Sequence, residues 1–76
     1  MSVHVILFGR LADIAGSSVF VNAVADTDSL INALHKTYPA LAESKYLVAV
    51  DKHVIISNTL LNESSVVALL PPFSGG

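Results

Sequence analysis

The end of the chain constrains its fold more than any other stretch. Residues 65–70 predict a strand, and from residue 66 onwards the side chains on both of its faces are apolar. One face carries Val67 and Leu69, and the other carries Val66, Ala68 and Leu70. A strand of this kind lies in the centre of a sheet or carries a binding surface on its second face. Because a proline follows directly, we expect a tail to leave from the middle of the sheet.

The tail consists of Pro71, Pro72, Phe73, Ser74, Gly75 and Gly76. Its two prolines hold φ at about −65° and favour the extended polyproline conformation, which would project the tail by about 19 Å at roughly 3.1 Å per residue. The two glycines have no Cβ and can therefore enter a channel too narrow for any other residue. The tail is predicted to be a spacer that presents the backbone carboxylate of Gly76 to a partner.

The composition limits what the chain can do alone. Its 76 residues make one small domain, which buries only about 60% of the surface of the unfolded chain. The absence of Cys excludes a disulfide framework, a thiolate metal site and a cysteine nucleophile. His4, His35 and His53 lack the spacing of metal ligands, and no serine lies in a nucleophile motif. We therefore expect no metal site, no stably bound cofactor and no catalytic site in the isolated chain.

Charge and hydropathy indicate the kind of partner. The net charge is −2, and the four lysines and arginines form no basic stripe that could bind a phosphate backbone. No apolar run reaches the roughly eighteen residues of a membrane span, and we expect no cleavable leader before the first strand. We expect a cytoplasmic protein that binds neither nucleic acid nor membranes. Because 53% of the residues are hydrophobic, some should form an exposed apolar patch, which usually marks a protein partner.

In chain order, the sequence predicts five strands and one main helix. Strands are expected at residues 3–8, 17–24, 46–50, 54–57 and 65–70, and the helix at residues 28–37, after a run of helix-start residues. One helical turn closed by Gly16 is expected within residues 9–16, and a loop or short turn at residues 40–44. The order ββαβββ favours an α+β fold of the β-grasp type, a mixed sheet over one helix. Residues 1–70 would form this domain and residues 71–76 the tail.

The spacing of apolar residues predicts the core. Leu30, Ile31 and Leu34 recur on one face of the helix. They should pack onto the sheet residues Val5, Val19, Val21 and Val67, whereas His35 should face away from the sheet.

The ending at residues 66–76 and the opening Leu7-Phe8-Gly9-Arg10-Leu11 resemble the small subunit of molybdopterin synthase. This family of sulfur carriers is related to ubiquitin and to the thiamine-pathway sulfur carrier. The resemblance implies that a ubiquitin-activating-type enzyme uses ATP to adenylate the carboxylate of Gly76, which then becomes a thiocarboxylate. It also implies that this sulfur passes to precursor Z within a heterotetramer formed with the large subunit of molybdopterin synthase.

The resemblance further implies contact residues. Phe8, Val54 and Leu70 match apolar residues that contact the large subunit in the family. Many family members carry an arginine where this chain has Ala12. The polar contact that this arginine makes with a partner is therefore expected to be absent here or to be made by Arg10. The family's Asp-Gly-Asp-like turn before the last strand is residues 62–64, Asn-Glu-Ser, in this chain, which leaves the turn type open.

Two other functions remain open from the sequence. A thiamine-pathway sulfur carrier or a protein modifier would use the same chemistry at Gly76 but deliver it to thiazole assembly or to a protein lysine. A plain interaction module would not need the tail, and would keep its activity after removal of Gly75 and Gly76.

Overall fold

The computed structural model describes residues 2–72, which form a five-stranded sheet and three helices. The elements in chain order are β1 Ser2–Leu7, α1 Arg10–Ala15, β2 Ser18–Asn22, α2 Thr27–Thr37, α3 Pro39–Ala42, β3 Leu47–Val50, β4 His53–Ile55 and β5 Val66–Leu70. All five predicted strands and the main helix are therefore present in the predicted order. No helix within these residues is long and apolar enough to cross a membrane.

The sheet has the strand order β2-β1-β5-β3-β4. β1 and β5 pair in parallel, and all other neighbours are antiparallel, so the sheet is mixed. β5 lies third of the five strands, which confirms the prediction that the last strand is central. The physical reason is its two apolar faces, since an edge position would leave both a backbone edge and these side chains in water.

The core lies between the sheet and α2. Leu30 and Leu34 of α2 are buried in one cluster with Val5 and Val67, and Ile31 packs against it, as predicted. Leu11 of α1 and Leu41 of α3 are buried in the same cluster. These two leucines extend the core beyond the predicted set, because α1 packs against β1 and β2 and α3 packs against α2.

Helix α2 begins after Asp26, whose carboxylate accepts a hydrogen bond of 2.9 Å from the backbone N–H of Ser29. Hydrogen bonds from Ser29 and Asn58 lower the pKa of Asp26 below its ordinary value, because they stabilise the ionised carboxylate. Asp26 is thus the N-cap of α2, and it belongs to the run of helix-start residues that the sequence shows before this helix. The helix ends at Thr37, as predicted, because Pro39 disfavours helical geometry at the residue before it. Pro39 then opens the four-residue helix α3 where a loop or short turn was expected.

The predicted bounds of β1, α2, β3 and β5 lie within one residue of the structure, and those of β2, β4 and α1 differ more. β2 ends at Asn22, because Ala23 adopts a positive φ of 61° that breaks the extended backbone. β4 covers only His53–Ile55 instead of residues 54–57. α1 spans six residues rather than a single turn, although Gly16 closes it as expected.

Two tight turns follow β3, one between β3 and β4 and the other directly before β5. Asp51 and Lys52 have φ values of 49° and 73°, which matches the hairpin turns in which both central residues have positive φ. In the second turn the side-chain oxygen of Asn62 accepts a hydrogen bond of 2.8 Å from the backbone N–H of Ser64. The backbone carbonyl of Asn62 accepts one of 3.1 Å from the backbone N–H of Ser65. The turn whose type the sequence left open is therefore built around Asn62.

Candidate functional site

The face of the sheet turned away from α2 carries a row of apolar side chains across four strands. The strand register places Ile6 beside Ala68, Ala68 beside Ala49, and Ala49 beside Val54. A second row begins with Leu70, which lies beside Leu47. Phe8 extends the alternation of β1 by one step, because its N–H donates a hydrogen bond of 3.1 Å to the carbonyl of Leu69. We call these eight residues the outer apolar face: Ile6, Phe8, Leu47, Ala49, Val54, Ala68, Leu70 and, directly after β4, Ile56.

Several large side chains on this face are open to solvent. Phe8 is 45% exposed, Leu47 42%, Val54 56% and Ile56 fully exposed. Leu70 is partly buried, because its strand lies between β1 and β3. Large exposed apolar side chains on neighbouring strands are typical of a protein-binding surface.

The structure brings together the three apolar residues that the sequence singled out. Phe8, Val54 and Leu70 all belong to the outer apolar face, although they lie on three different parts of the chain. Leu47 and Ile56 were missed. The signal for Leu47 was its alternation with Val48 and Val50, but only the register with β5 shows that it lies beside Leu70.

On the same face of the sheet, a polar and aromatic cluster joins β1 to β2. The rings of His4 and Phe20 stack at a centroid distance of 4.6 Å and an interplanar angle of 11°. The Nε2 of His4 shares a hydrogen bond of 2.6 Å with the hydroxyl of Ser18. His4 therefore has a structural role in the sheet.

His35 also takes part in a structural contact. Its Nε2 shares a hydrogen bond of 2.6 Å with the hydroxyl of Tyr46, which joins α2 to the start of β3. Burial raises the pKa of Tyr46 above its ordinary value of 10.0. His35 was expected to face away from the sheet. The contact with Tyr46 shows that His35 instead connects α2 to the start of β3. His53 is exposed on the β3–β4 hairpin.

The tail begins beside the loop between β1 and α1. Pro71 is partly buried and its ring lies against Gly9, so that a Cβ added to Gly9 would lie 2.9 Å from Cγ of Pro71. Pro72 is exposed. The other residues predicted to act in the tail, residues 73–76, lie outside the described residues.

A groove of about 540 Å³ runs beside the start of the tail. Its charged lining residues are Arg10, Asp13, Glu43 and Lys45, and Pro71 and Pro72 form one of its walls. Arg10 is thus next to the tail rather than on the outer apolar face. Ala12, where the family often has arginine, is partly buried against the core.

The mixed sheet, the helix α2 and the central last strand define a ubiquitin-like β-grasp protein. The chain belongs to the ThiS family, whose model matches residues 5–76. No curated protein sequence matches the chain at a significant level.

Several solved structures share this fold. A chain in the complex of subunits 1 and 2 of the molybdopterin-converting factor from Helicobacter pylori is 33% identical, with a TM-score of 0.76 and 100% of both chains covered. SAMP1 from Haloferax volcanii is 25% identical, with a TM-score of 0.81 and 100% of both chains covered. A putative molybdopterin-converting factor subunit 1 from Pyrococcus furiosus is 20% identical, with a TM-score of 0.88 over 96% of this chain and 99% of that chain, which shows the fold alone.

Proposed function

We propose that this protein is a sulfur carrier of molybdenum-cofactor biosynthesis, in which the α-carboxylate of Gly76 is the working group. The observation that carries the proposal is the position of β5, which ends on the outer apolar face and continues directly into the tail. The identity of 33% with a chain of the Helicobacter pylori molybdopterin-converting factor supports the choice of pathway.

The proposed chemistry needs only the end of the chain. A carboxylate does not react with sulfide until one of its oxygens becomes a good leaving group. An oxygen of the Gly76 carboxylate attacks the α-phosphorus of ATP, and pyrophosphate leaves. Sulfide then attacks the acyl carbon, and AMP leaves with the oxygen, so that a thiocarboxylate remains on the carrier. The adenylating enzyme supplies the catalytic groups and binds the ATP.

The outer apolar face would hold the carrier on its partners. Phe8, Val54 and Leu70 are the proposed contacts with the large subunit of molybdopterin synthase, and Leu47 extends this contact. Docking through a face that adjoins the tail turns the transfer of sulfur into a positioned reaction. Arg10, which lines the groove beside the tail, is the proposed polar contact.

The direct test is the intact mass of the carrier after incubation with the adenylating enzyme, ATP and sulfide. We expect the mass change of one oxygen replaced by sulfur in the wild-type chain, and none in Gly76→Val, whose side chain should block entry to the adenylating channel. Gly76→Val should still bind the large subunit, which separates loss of chemistry from loss of docking. Dithiolene formation by a chain that lacks Gly76 would refute the proposal.

A second candidate is a protein modifier, which is favoured by the similarity to SAMP1, the small archaeal modifier protein 1. It would form isopeptide adducts between Gly76 and lysines of other proteins. A thiamine-pathway sulfur carrier would instead support thiazole assembly, and an interaction module would be unaffected by removal of Gly75 and Gly76. Reconstitution of each reaction with the same purified carrier distinguishes these functions.

A further inference from the structure

We propose that Gly9 is a positioning residue that sets the direction in which the tail leaves the β-grasp domain. The inference rests on the proposed function, because its consequence for chemistry depends on the tail being the reacting segment. The geometry of residues 8, 9, 69 and 71 carries it.

Gly9 and Pro71 are held side by side by the parallel strands β1 and β5. The register ends with Leu7 beside Leu69, and the N–H of Phe8 continues it by bonding to the carbonyl of Leu69 at 3.1 Å. Each strand then leaves the sheet, one through Gly9 into α1 and the other through Pro71 into the tail. The start of the tail is therefore fixed relative to the loop that contains Gly9.

The contact leaves no room for a side chain at position 9. An added Cβ would lie 2.9 Å from Cγ and 3.8 Å from Cδ of Pro71, and the first of these distances is shorter than real Cβ contacts allow. The proline ring cannot rotate away by itself, because it is bonded to its own backbone nitrogen and fixes φ. Ring puckering shifts Cγ only slightly, so we expect relief of the collision to move Pro71 and Gly9 apart, and the start of the tail then moves relative to the loop that contains Gly9.

The backbone of Gly9 adds a second constraint. Its φ of 58° and ψ of −133° are the mirror image of values close to polyproline II, a region that L-residues avoid and that glycine or a D-residue adopts. Gly16 provides a comparison at the other end of α1. It also has a positive φ, of 91°, but a Cβ there would meet no atom within 4 Å. Alanine at position 16 would thus be strained without touching the tail, whereas alanine at position 9 would be strained and would also displace it.

A displaced tail should slow the step that requires the best alignment. In the proposed reaction, the carboxylate of Gly76 must reach the α-phosphorus of ATP in line with the departing pyrophosphate. A misplacement of about 1 Å can slow such a positioned reaction by about a hundredfold. Docking through the outer apolar face should be unaffected, because Gly9 is not part of that face.

The test compares four chains: the wild type, Gly9→Ala, Gly16→Ala and a synthetic chain with D-alanine at position 9. The adenylating enzyme and ATP are supplied, and pyrophosphate release is followed as a function of carrier concentration. We expect Gly9→Ala to lower kcat by about tenfold or more relative to Gly16→Ala, with little change in KM. The D-alanine chain should react close to the wild-type rate, because its methyl group replaces the other hydrogen of Gly9 and its backbone preference suits the observed φ and ψ.

A structural measurement accompanies the kinetics. Nuclear Overhauser contacts between the α-protons of residue 9 and the ring protons of Pro71 should be present in the wild type and Gly16→Ala. In Gly9→Ala the methyl group replaces the α-proton that faces Pro71, so the contacts of both the methyl group and the remaining α-proton with the ring are measured, and both should be weaker than an undisplaced tail would give. If Gly9→Ala does not fold, Pro71→Ala replaces it, since it removes the Cγ of the same contact without changing the start of α1. Pro71→Ala should also lower kcat.

The outcomes separate this inference from the proposed function. If the wild type is adenylated and Gly9→Ala reacts at the rate of Gly16→Ala, the positioning role is overturned and the proposed function stands. If the replacement Pro71→Ala reacts at the wild-type rate, the positioning role is likewise overturned. If the wild type itself releases no pyrophosphate, the proposed function is overturned, and the nuclear Overhauser contacts alone decide whether Gly9 directs the tail.

Discussion

The two faces of the sheet carry similar side chains but differ in what covers them. On the inner face, Val67 and Leu69 of β5 are completely buried under α2 and its neighbours. On the outer face of the same strand, Val66 is 37% exposed and Leu70 is partly exposed. The apolar character of a residue therefore does not show whether the residue stabilises the fold or binds a partner. The covered face holds the domain together, and the uncovered face is available for a partner.

The largest expected effect tests the covered face. Leu34→Ala should lower the free energy of unfolding by about 2 to 5 kcal/mol, because it removes a buried side chain and leaves a cavity between α2 and the sheet. The control is Leu47→Ala, the same substitution on the outer apolar face. Its effect should be clearly smaller, because Leu47 is already 42% exposed. Urea denaturation measures both variants, and equal losses would show that the two faces do not differ in this way.

The next prediction tests the uncovered face by adding a charge. Val54→Asp should weaken binding to the large subunit of molybdopterin synthase by more than about 2 kcal/mol, which is about thirtyfold in Kd, because the carboxylate would be desolvated in the interface. Its free energy of unfolding should change little, since Val54 is 56% exposed on an edge strand.

Leu60→Asp is the matched control for this measurement. Leu60 is an exposed aliphatic residue, at 81%, in the segment between β4 and β5 and outside the outer apolar face. It should bind with the wild-type Kd in isothermal titration calorimetry. An equal loss of binding in both variants would mean that general surface hydrophobicity, not this face, determines docking.

The sequence predicts those parts of the fold and of the candidate site that depend on neighbouring residues, and it does not predict contacts between residues far apart in the chain. The central position of β5 follows from its own two apolar faces, and the end of α2 follows from Pro39, so local patterns were sufficient. The pairing of Leu47 with Leu70 and the contact of Gly9 with Pro71 join distant parts of the chain. Such contacts depend on strand register and on dihedral angles that neighbouring residues do not encode.

A smaller effect on stability is expected at the N-terminus of α2, the helix that covers the inner face of the sheet. Asp26→Ala should lower the unfolding midpoint because α2 loses its N-cap, whereas Asp26→Asn should retain most of it, since asparagine also caps helices. The pKa of Asp26 is lower in the folded chain than its ordinary value of 3.8, so its ionised form stabilises the fold above that pH. This contribution should disappear as the pH falls below 3.8 through the folded-state pKa. Thermal melts between pH 2 and 6 should show a shallower pH dependence for Asp26→Asn than for the wild type, and identical profiles would contradict the assignment.

The smallest expected effect lies where α2 meets β3, at the hydrogen bond of 2.6 Å between His35 and Tyr46. Burial raises the pKa of Tyr46 above 10.0 in the folded chain, so the unfolded chain releases the phenol proton at lower pH. The resulting stability is fully present below pH 10 and is lost as the pH rises through the folded-state pKa. Tyr46→Phe should cost about 0.5 to 1.5 kcal/mol near neutral pH through the lost hydrogen bond, and should make stability less dependent on pH above 10. Tyr38→Phe, which removes the hydroxyl of the other tyrosine, is the matched control. Denaturant midpoints are measured between pH 8 and 11. If they fall equally in Tyr46→Phe and the wild type, Tyr46 is not the group whose titration lowers the stability. The contact with His35 would then stabilise the packing of α2 without making that stability depend on pH.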